Sequence, residues 1–213
     1  MTMTTNTLHC YKMTWDTGFA PNPCFDKLTL ATCKPIIRRC STAGEWIAGL
    51  TAVTVHDKDK QKHDFHSQQK LLYLARITKV VPLEVYWEEY PEKRPVLVSG
   101  KSCGGCHGIP QNANDARYNG GDNIYEKQAN GKWVQHPNGD HFGPDKEHDL
   151  SGKNALVCEE FYYFGVHQPL DVSSVFPTVN ARQKNFSLDA TIVKALISFV
   201  KDNANKAKYT SSK

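Results

Sequence analysis

A chain of 213 residues with 39% hydrophobic and 23% charged residues has a globular composition and enough length to bury a substantial core. Its net charge of +4 suits a small anionic ligand or a brief nucleic-acid contact better than a wrapped duplex, which favours a strongly basic face. No run approaches the ~18 apolar residues of a membrane span, the N-terminal MTMTTNT lacks the apolar centre of a signal peptide, and seven cysteines without a leader read as reduced thiols, so a cytoplasmic protein is expected.

Leu8 to Trp15 alternates loosely and reads as a first strand, delivering Trp15 and Asp16 to a loop, Asp16-Thr17-Gly18-Phe19-Ala20-Pro21-Asn22-Pro23. Two prolines and a glycine stop that segment from continuing as helix or central strand, and such loops usually make ligand contacts. Lys27–Cys33 reads as a second strand, ended by Lys34-Pro35, with the paired guanidinium groups of Arg38 and Arg39 beside it. Arginine suits phosphate because its planar fork donates two parallel hydrogen bonds. As exposed side chains, both could be truncated with little effect on folding.

Glu45–Val55 is expected to be a third strand, introduced by the turn Ala43-Gly44. The charged stretch 56–64, without an apolar residue, reads as an exposed and dispensable hairpin tip. Leu71–Val81 has the length and β-branched content of a central strand, and Pro82 can open a short helix over Leu83–Tyr90. Lys93 to Gly121 is irregular; Asn130-Gly131 then predicts a hairpin between Ile124–Lys127 and Lys132–Gln135. Ala155–Gly165 reads as an aromatic strand, and Ser187 can cap a last helix with Leu188, Ile192, Leu196, Phe199 and Val200 on one face.

Several motifs fail on context. Cys103-Gly104-Gly105-Cys106-His107 has neither the export signal of a haem-attachment site nor a second ligand pair for zinc, and no His-x-Glu occurs for a zinc deaminase. Gly100-Lys101-Ser102 copies the end of a phosphate-binding loop, but Pro95 stands where its first glycine is needed. The loop from His136 to Asp149 gathers His136, His141 and His148 with Asp140, Asp145 and Asp149, types that suit either a divalent metal or acid–base work near neutral pH. Among Phe161 to Phe164 alternate rings point to the core, leaving Tyr162 to stack a base. No Ser-His-Asp order or Gly-x-Ser-x-Gly elbow is present, and no nucleophile is assigned.

DTGFAPNP (16–23), LTLATCKPIIRR (28–39), GEWIAG (44–49), EVYW (84–87) and the long stretch 121–165 together resemble the nucleotide modification associated domain 2 family, colinearly over roughly residues 8–170. The resemblance implies a domain found near phage and bacterial DNA-base modification genes, with no particular reaction attached. GEWIAG also looks like the strand entry in PUA-like and ASCH-like barrels. The expected fold is therefore α+β: a strongly bent sheet or small barrel over 8–170, with peripheral helices and long loops, followed by a connector and docked helix over 171–213.

These readings combine into a pocket for a nucleotide or modified base. Lys34, Arg38 and Arg39 would take phosphate and Trp15, Phe19 or Tyr162 would stack the base; Asp16 and Asn22 would shape the loop, with His136 and His141 nearby. The leading function is a nucleotide- or modified-base-binding protein of phage or bacterial DNA modification, defence or counter-defence. An enzyme using His136, His141 or Asp140 as acid–base, and a sponge for a nucleotide immune signal, are the alternatives. No metal or cofactor is expected, no catalytic residue is assigned, and nucleic acid and a second copy of the chain stay open as partners.

Overall fold

The computed structural model describes residues 6–66, 68–95, 121–138, 140–141 and 143–211. The expectations at Gly100–Ser102 and Cys103–His107, and most of the irregular stretch after Lys93, lie outside the described residues. In chain order the strands are β1 (Thr7–Asp16), β2 (Leu28–Leu30), β3 (Trp46–Asp57), β4 (Lys62–Asp64), β5 (Leu71–Arg76), β6 (Lys79–Pro82), β7 (Tyr125–Lys127), β8 (Trp133–Gln135), β9 (Asn154–Cys158), β10 (Glu160–Tyr163), β11 (Gln183–Ser187) and β12 (Tyr209–Thr210). The helices are α1 (Pro35–Cys40), α2 (Leu83–Glu89), α3 (Asp145–Leu150) and α4 (Thr191–Asp202). These elements form two compact units, each assembled from segments distant in sequence.

One unit comprises Met1–Thr17, Thr42–Thr78 and Cys158–Lys213. Its seven-stranded sheet has the order β11-β1-β3-β5-β10-β12, with β4 added to β3. The pair β1–β3 is parallel and its neighbours are antiparallel, so the sheet is mixed. It runs from edge to edge without closing, and the barrel expectation gives way to an open sheet. Leu8, Ala48, Leu50 and Leu74 pack with Val193, Leu196 and Val200 of α4 in one core. Of the expected face, Leu196 and Val200 are buried and Leu188 and Phe199 pack against the same core, whereas Val193 is buried where Ile192 was expected, leaving Ile192 38% exposed. Ser187 does not cap the helix: it lies in β11, and the helix begins only after Ala190.

The expected hairpin tip at 56–64 forms, with β3 turning back as β4. It is not uniformly exposed, because Asp57 is buried and its Oδ1 accepts the backbone N–H groups of Asp59 and Gln61.

The other unit comprises Gly18–Ser41 and Lys79–Val157. Here β2, β9 and β6 form a three-stranded sheet, and β7 and β8 a separate hairpin at the expected Asn-Gly turn. The single strand expected over Leu71–Val81 is two: β5 belongs to the seven-stranded sheet, whereas β6 pairs with β9 through Val81 opposite Ala155. Ala31, Val81, Leu83, Tyr86 and Val157 make its core. Helices α1 and α3 were not expected from the sequence. Each is six residues long, too short to show an amphipathic period and held by tertiary contacts.

Candidate active site

Between β2 and α1 the chain turns sharply at Cys33 and Lys34. Both have left-handed backbones, φ 55° and 39°. Non-glycine residues in that region cost about 1–3 kcal/mol each and persist only where surrounding contacts impose them, commonly at functional sites. A strand-to-helix turn of this kind projects the side chain at its apex, as the nucleophile elbow of hydrolases does. Here the side chain is a thiol.

The Cys33 Sγ lies 3.3 Å from Nε2 of His141, and the other ring nitrogen, Nδ1, lies 2.6 Å from Oδ2 of Asp149. Asp149, at the end of α3, is fully buried and fixed from two more sides. Its Oδ2 accepts the Tyr125 hydroxyl at 2.8 Å, and its Oδ1 accepts the Cys33 backbone N–H at 2.6 Å. His141 is held through its backbone as well: its N–H donates to Oδ1 of Asn138 and its carbonyl accepts from Nε2 of Gln135. Phe19 packs its ring 5.0 Å from the imidazole. The result is a nucleophile, a proton carrier and an orienting carboxylate in line, the arrangement of thiol and serine hydrolases.

Burial opposes charge on the imidazole, but the hydrogen bonds to Asp149 and Cys33 outweigh it and raise His141 from 6.5 to about 10. Burial likewise opposes charge on Asp149, and its bonds from His141, Cys33 and Tyr125 prevail, holding the carboxyl below its usual 3.8. The signs set a pH window. The raised histidine stabilises the fold fully below 6.5 and loses that contribution as pH rises through about 10; the depressed aspartate contributes above 3.8 and loses it as pH falls below that. The melting temperature of wild type relative to His141→Gln is thus expected to be highest at and below neutral pH and to converge on the variant's as pH passes 10. A difference that grew with alkalinity would refute the assignment.

The donor atoms of Cys33, His141 and Asp149 lie within 4.8 Å of one another, close enough for a shared metal ion. The imidazole, however, stands between thiol and carboxylate with one nitrogen turned to each. Turning all three donors toward one point would break both ring hydrogen bonds, and the set fits a proton relay better than a metal cage.

Arg38, expected at a phosphate, is fully buried behind this site. Its Nε donates to the Cys33 carbonyl at 2.6 Å, one terminal nitrogen to the Asn154 carbonyl at 2.8 Å, and the other to the Asp149 carbonyl. All edges of the fork are occupied by backbone. Gly152 permits this approach, since a Cβ there would stand 2.5 Å from the Arg38 Cζ. Arg39 is exposed, with one bond to the Ser151 carbonyl.

The other expected site residues fall in different surroundings. Asn22 is buried, its side-chain amide donating to the Gly18 carbonyl and its Oδ1 accepting from Lys93. His136 is bonded to Glu126 at 2.8 Å and stacked on Trp87. Lys34 caps α1 through its left-handed backbone. In the first unit, Asp16 is buried and accepts hydrogen bonds from the Tyr163 hydroxyl and the Val166 N–H, rather than from the loop that follows it; burial pushes its carboxyl up. Trp15 is half exposed and stacked on His56, and the Tyr162 hydroxyl points to Glu160.

Of the residues singled out from sequence, Phe19 and His141 meet at the triad. Cys33 and Asp149 complete it, with Tyr125 bonded to Asp149; sequence reasoning placed Asp149 in the His/Asp cluster of the 136–149 loop but gave Cys33 and Tyr125 no role. Cys33 and Asp149 are 116 positions apart, and no local spacing links them. The one available signal was a cysteine at the turn Thr32-Cys33-Lys34-Pro35. Among the described residues, Cys10, Cys33, Cys40 and Cys158 are outside any disulfide, as expected, whereas Cys24 is disulfide-bonded and departs from the all-reduced expectation.

No helix among the described residues is long and apolar enough to cross a membrane. No curated protein and no solved structure matches this chain. The family model of nucleotide modification associated domain 2 matches residues 5–211, which takes in both units and every residue of the triad. A match over nearly the whole length, on the motifs that carry the resemblance, places this chain in the nucleotide modification associated domain 2 family.

Proposed function

We propose that this protein is a thiol-nucleophile enzyme that transfers or hydrolyses an acyl group carried by a nucleotide or nucleobase, in phage or bacterial DNA-modification or defence systems. The observation that carries the reading is the in-line Cys33–His141–Asp149 relay at a strained strand-to-helix turn. The Cys33 thiol passes its proton to Nε2 of His141, and the sulfur attacks the carbonyl carbon, forming a C–S bond and moving the carbonyl π pair onto oxygen. Collapse of the adduct breaks the bond to the leaving amine or alcohol, which takes the proton from Nε2 of His141. His141 then accepts a proton from water or an acceptor amine as that group displaces the thioester. Asp149 holds the ring in orientation throughout. Among the three functions considered from sequence, this favours the enzyme with His141 as acid–base, partnered by Asp149 rather than Asp140.

The test uses p-nitrophenyl acetate and the whole chain. A burst of one nitrophenolate per chain is expected, with the acetyl group mapped to Cys33. Cys33→Ala should abolish it, and His141→Ala should slow acylation by about a hundredfold or more. Acetyl found only on Cys40, which is also a free and exposed thiol, or an unchanged rate in His141→Ala, would refute the reading.

A second reading, base binding without turnover, is favoured by Trp15, which offers an exposed ring face stacked on His56. Quenching of tryptophan emission by a nucleoside monophosphate, lost in Trp15→Ala, supports it; recovery of the intact nucleotide after denaturation would point to sequestration.

A further inference from the structure

In the seven-stranded-sheet unit, one carboxylate gathers two imidazoles. Asp57 ends β3 with its side chain 2% exposed, and its Oδ2 faces Nε2 of His63 at 2.9 Å and Nε2 of His167 at 3.6 Å. The other oxygen, Oδ1, is pinned by the backbone N–H groups of Asp59 and Gln61 at 2.9 and 2.8 Å. His63 lies in β4, and His167 follows β10 in the next loop. The two rings meet edge to face, 4.9 Å apart at 87°, so each presents the same nitrogen toward the same oxygen.

We infer that Asp57, His63 and His167 form a binding site for a divalent transition-metal ion of the zinc class. Two donors each ~2.0–2.2 Å from a tetrahedral ion stand roughly 3.3–3.5 Å apart, and the distances of 2.9 and 3.6 Å to Oδ2 bracket that value. All three donor atoms lie within 4.8 Å of one another. Unlike His141, neither histidine stands between the other two groups. Each offers one nitrogen to the shared oxygen, and an ion there needs the Asp57–His63 distance to open by a few tenths of an ångström. The amide bonds to Oδ1 supply the outer support that fixes a ligating carboxylate. Two nitrogens and one oxygen are a ligand set for zinc or iron(II), and three protein ligands leave a coordination position for water or substrate. His167, 59% exposed, leaves the position reachable from solvent. This departs from the sequence expectation of no metal, and it stands independently of the chemistry proposed at Cys33.

The test is titration of the chelator-stripped full chain with cobalt(II), read by its visible absorption, and with zinc in competition. One ion per chain is expected, with no sulfur-to-metal charge-transfer band, because the set holds no thiolate. His63→Ala and His167→Ala should each weaken binding by about a hundredfold or more, since losing even an outer partner costs ten- to a hundredfold. Cys33→Ala should bind as wild type does. The exposure of His167 keeps its substitution harmless to the fold. Absence of cobalt binding, loss of binding in Cys33→Ala, or retention in both histidine variants would overturn the assignment.

Discussion

Replacing Arg38 with alanine is expected to destabilise the protein by about 3–5 kcal/mol and to abolish acylation of Cys33. The carbonyls of Cys33 and Asn154 would lose their guanidinium donors together, and the buried Asp149 carbonyl would keep the Gly152 N–H at 3.1 Å. Each unsatisfied group costs about 1–3 kcal/mol, with some relief from water entering the space left behind. Two of the three carbonyls belong to the nucleophile and to the carboxylate that orients His141, so the guanidinium fixes both ends of the relay without touching the reacting atoms. Arg38→Lys should recover only part of the loss, because a single ammonium cannot reproduce the planar fork. Arg39→Ala, on an exposed side chain, should stay within about 0.5 kcal/mol. Urea midpoints at unchanged slope measure all three. An Arg38→Ala midpoint equal to that of Arg39→Ala would mean the fork is not holding this turn.

Lys93→Met is expected to cost about 3 kcal/mol or more and to disorder the segment 22–27. The Lys93 ammonium is fully buried and donates to the Asn22 carbonyl at 3.2 Å, the Asn22 Oδ1 at 2.9 Å, the Cys24 carbonyl at 2.5 Å and the Lys27 carbonyl at 2.8 Å. That segment carries two non-glycine residues with left-handed backbones, Phe25 at φ 58° and Asp26 at φ 55°. Their strain is offset by the acceptors that one cation collects. Methionine keeps most of the volume and removes only the charge and the donors, separating the hydrogen-bonding effect from a cavity effect. Faster amide exchange confined to 22–29, with a lowered urea midpoint, is the expected outcome. The paired bonds between Asn22 and Thr29 report the change directly. An unchanged exchange pattern would mean the turn holds itself.

These two cations show why charge patterns mislead when read alone. Arg38 and Arg39 are adjacent and equally basic in the sequence, yet one is 0% exposed and the other faces solvent. Successive residues of a helix point about 100° apart, so neighbours belong to different environments, and only the packing of α1 decides which side chain turns inward. Lys93 gave no signal at all. A lone lysine beside Pro91 reads as surface until the loop it satisfies has been folded around it.

What the sequence determined by itself is the local and the compositional. It marked β1 and β3 through alternation and β-branched content, the β7–β8 hairpin through Asn-Gly, the helix after Pro82 through its proline start, and the family through colinear motifs. Those features depend on residues a few positions apart, where propensity and turn chemistry operate. Tertiary structure alone decided the rest. It split Leu71–Val81 between two sheets, because the partners of β5 and β6 lie far away in the chain. It left the sheet open, since closure depends on pairing at both edges. It also brought Cys33 within reach of His141 across 108 positions, and His63 and His167 to one carboxylate. Side chains that act together need a common point in space, and no spacing along a chain encodes one when the segments between them belong to different elements.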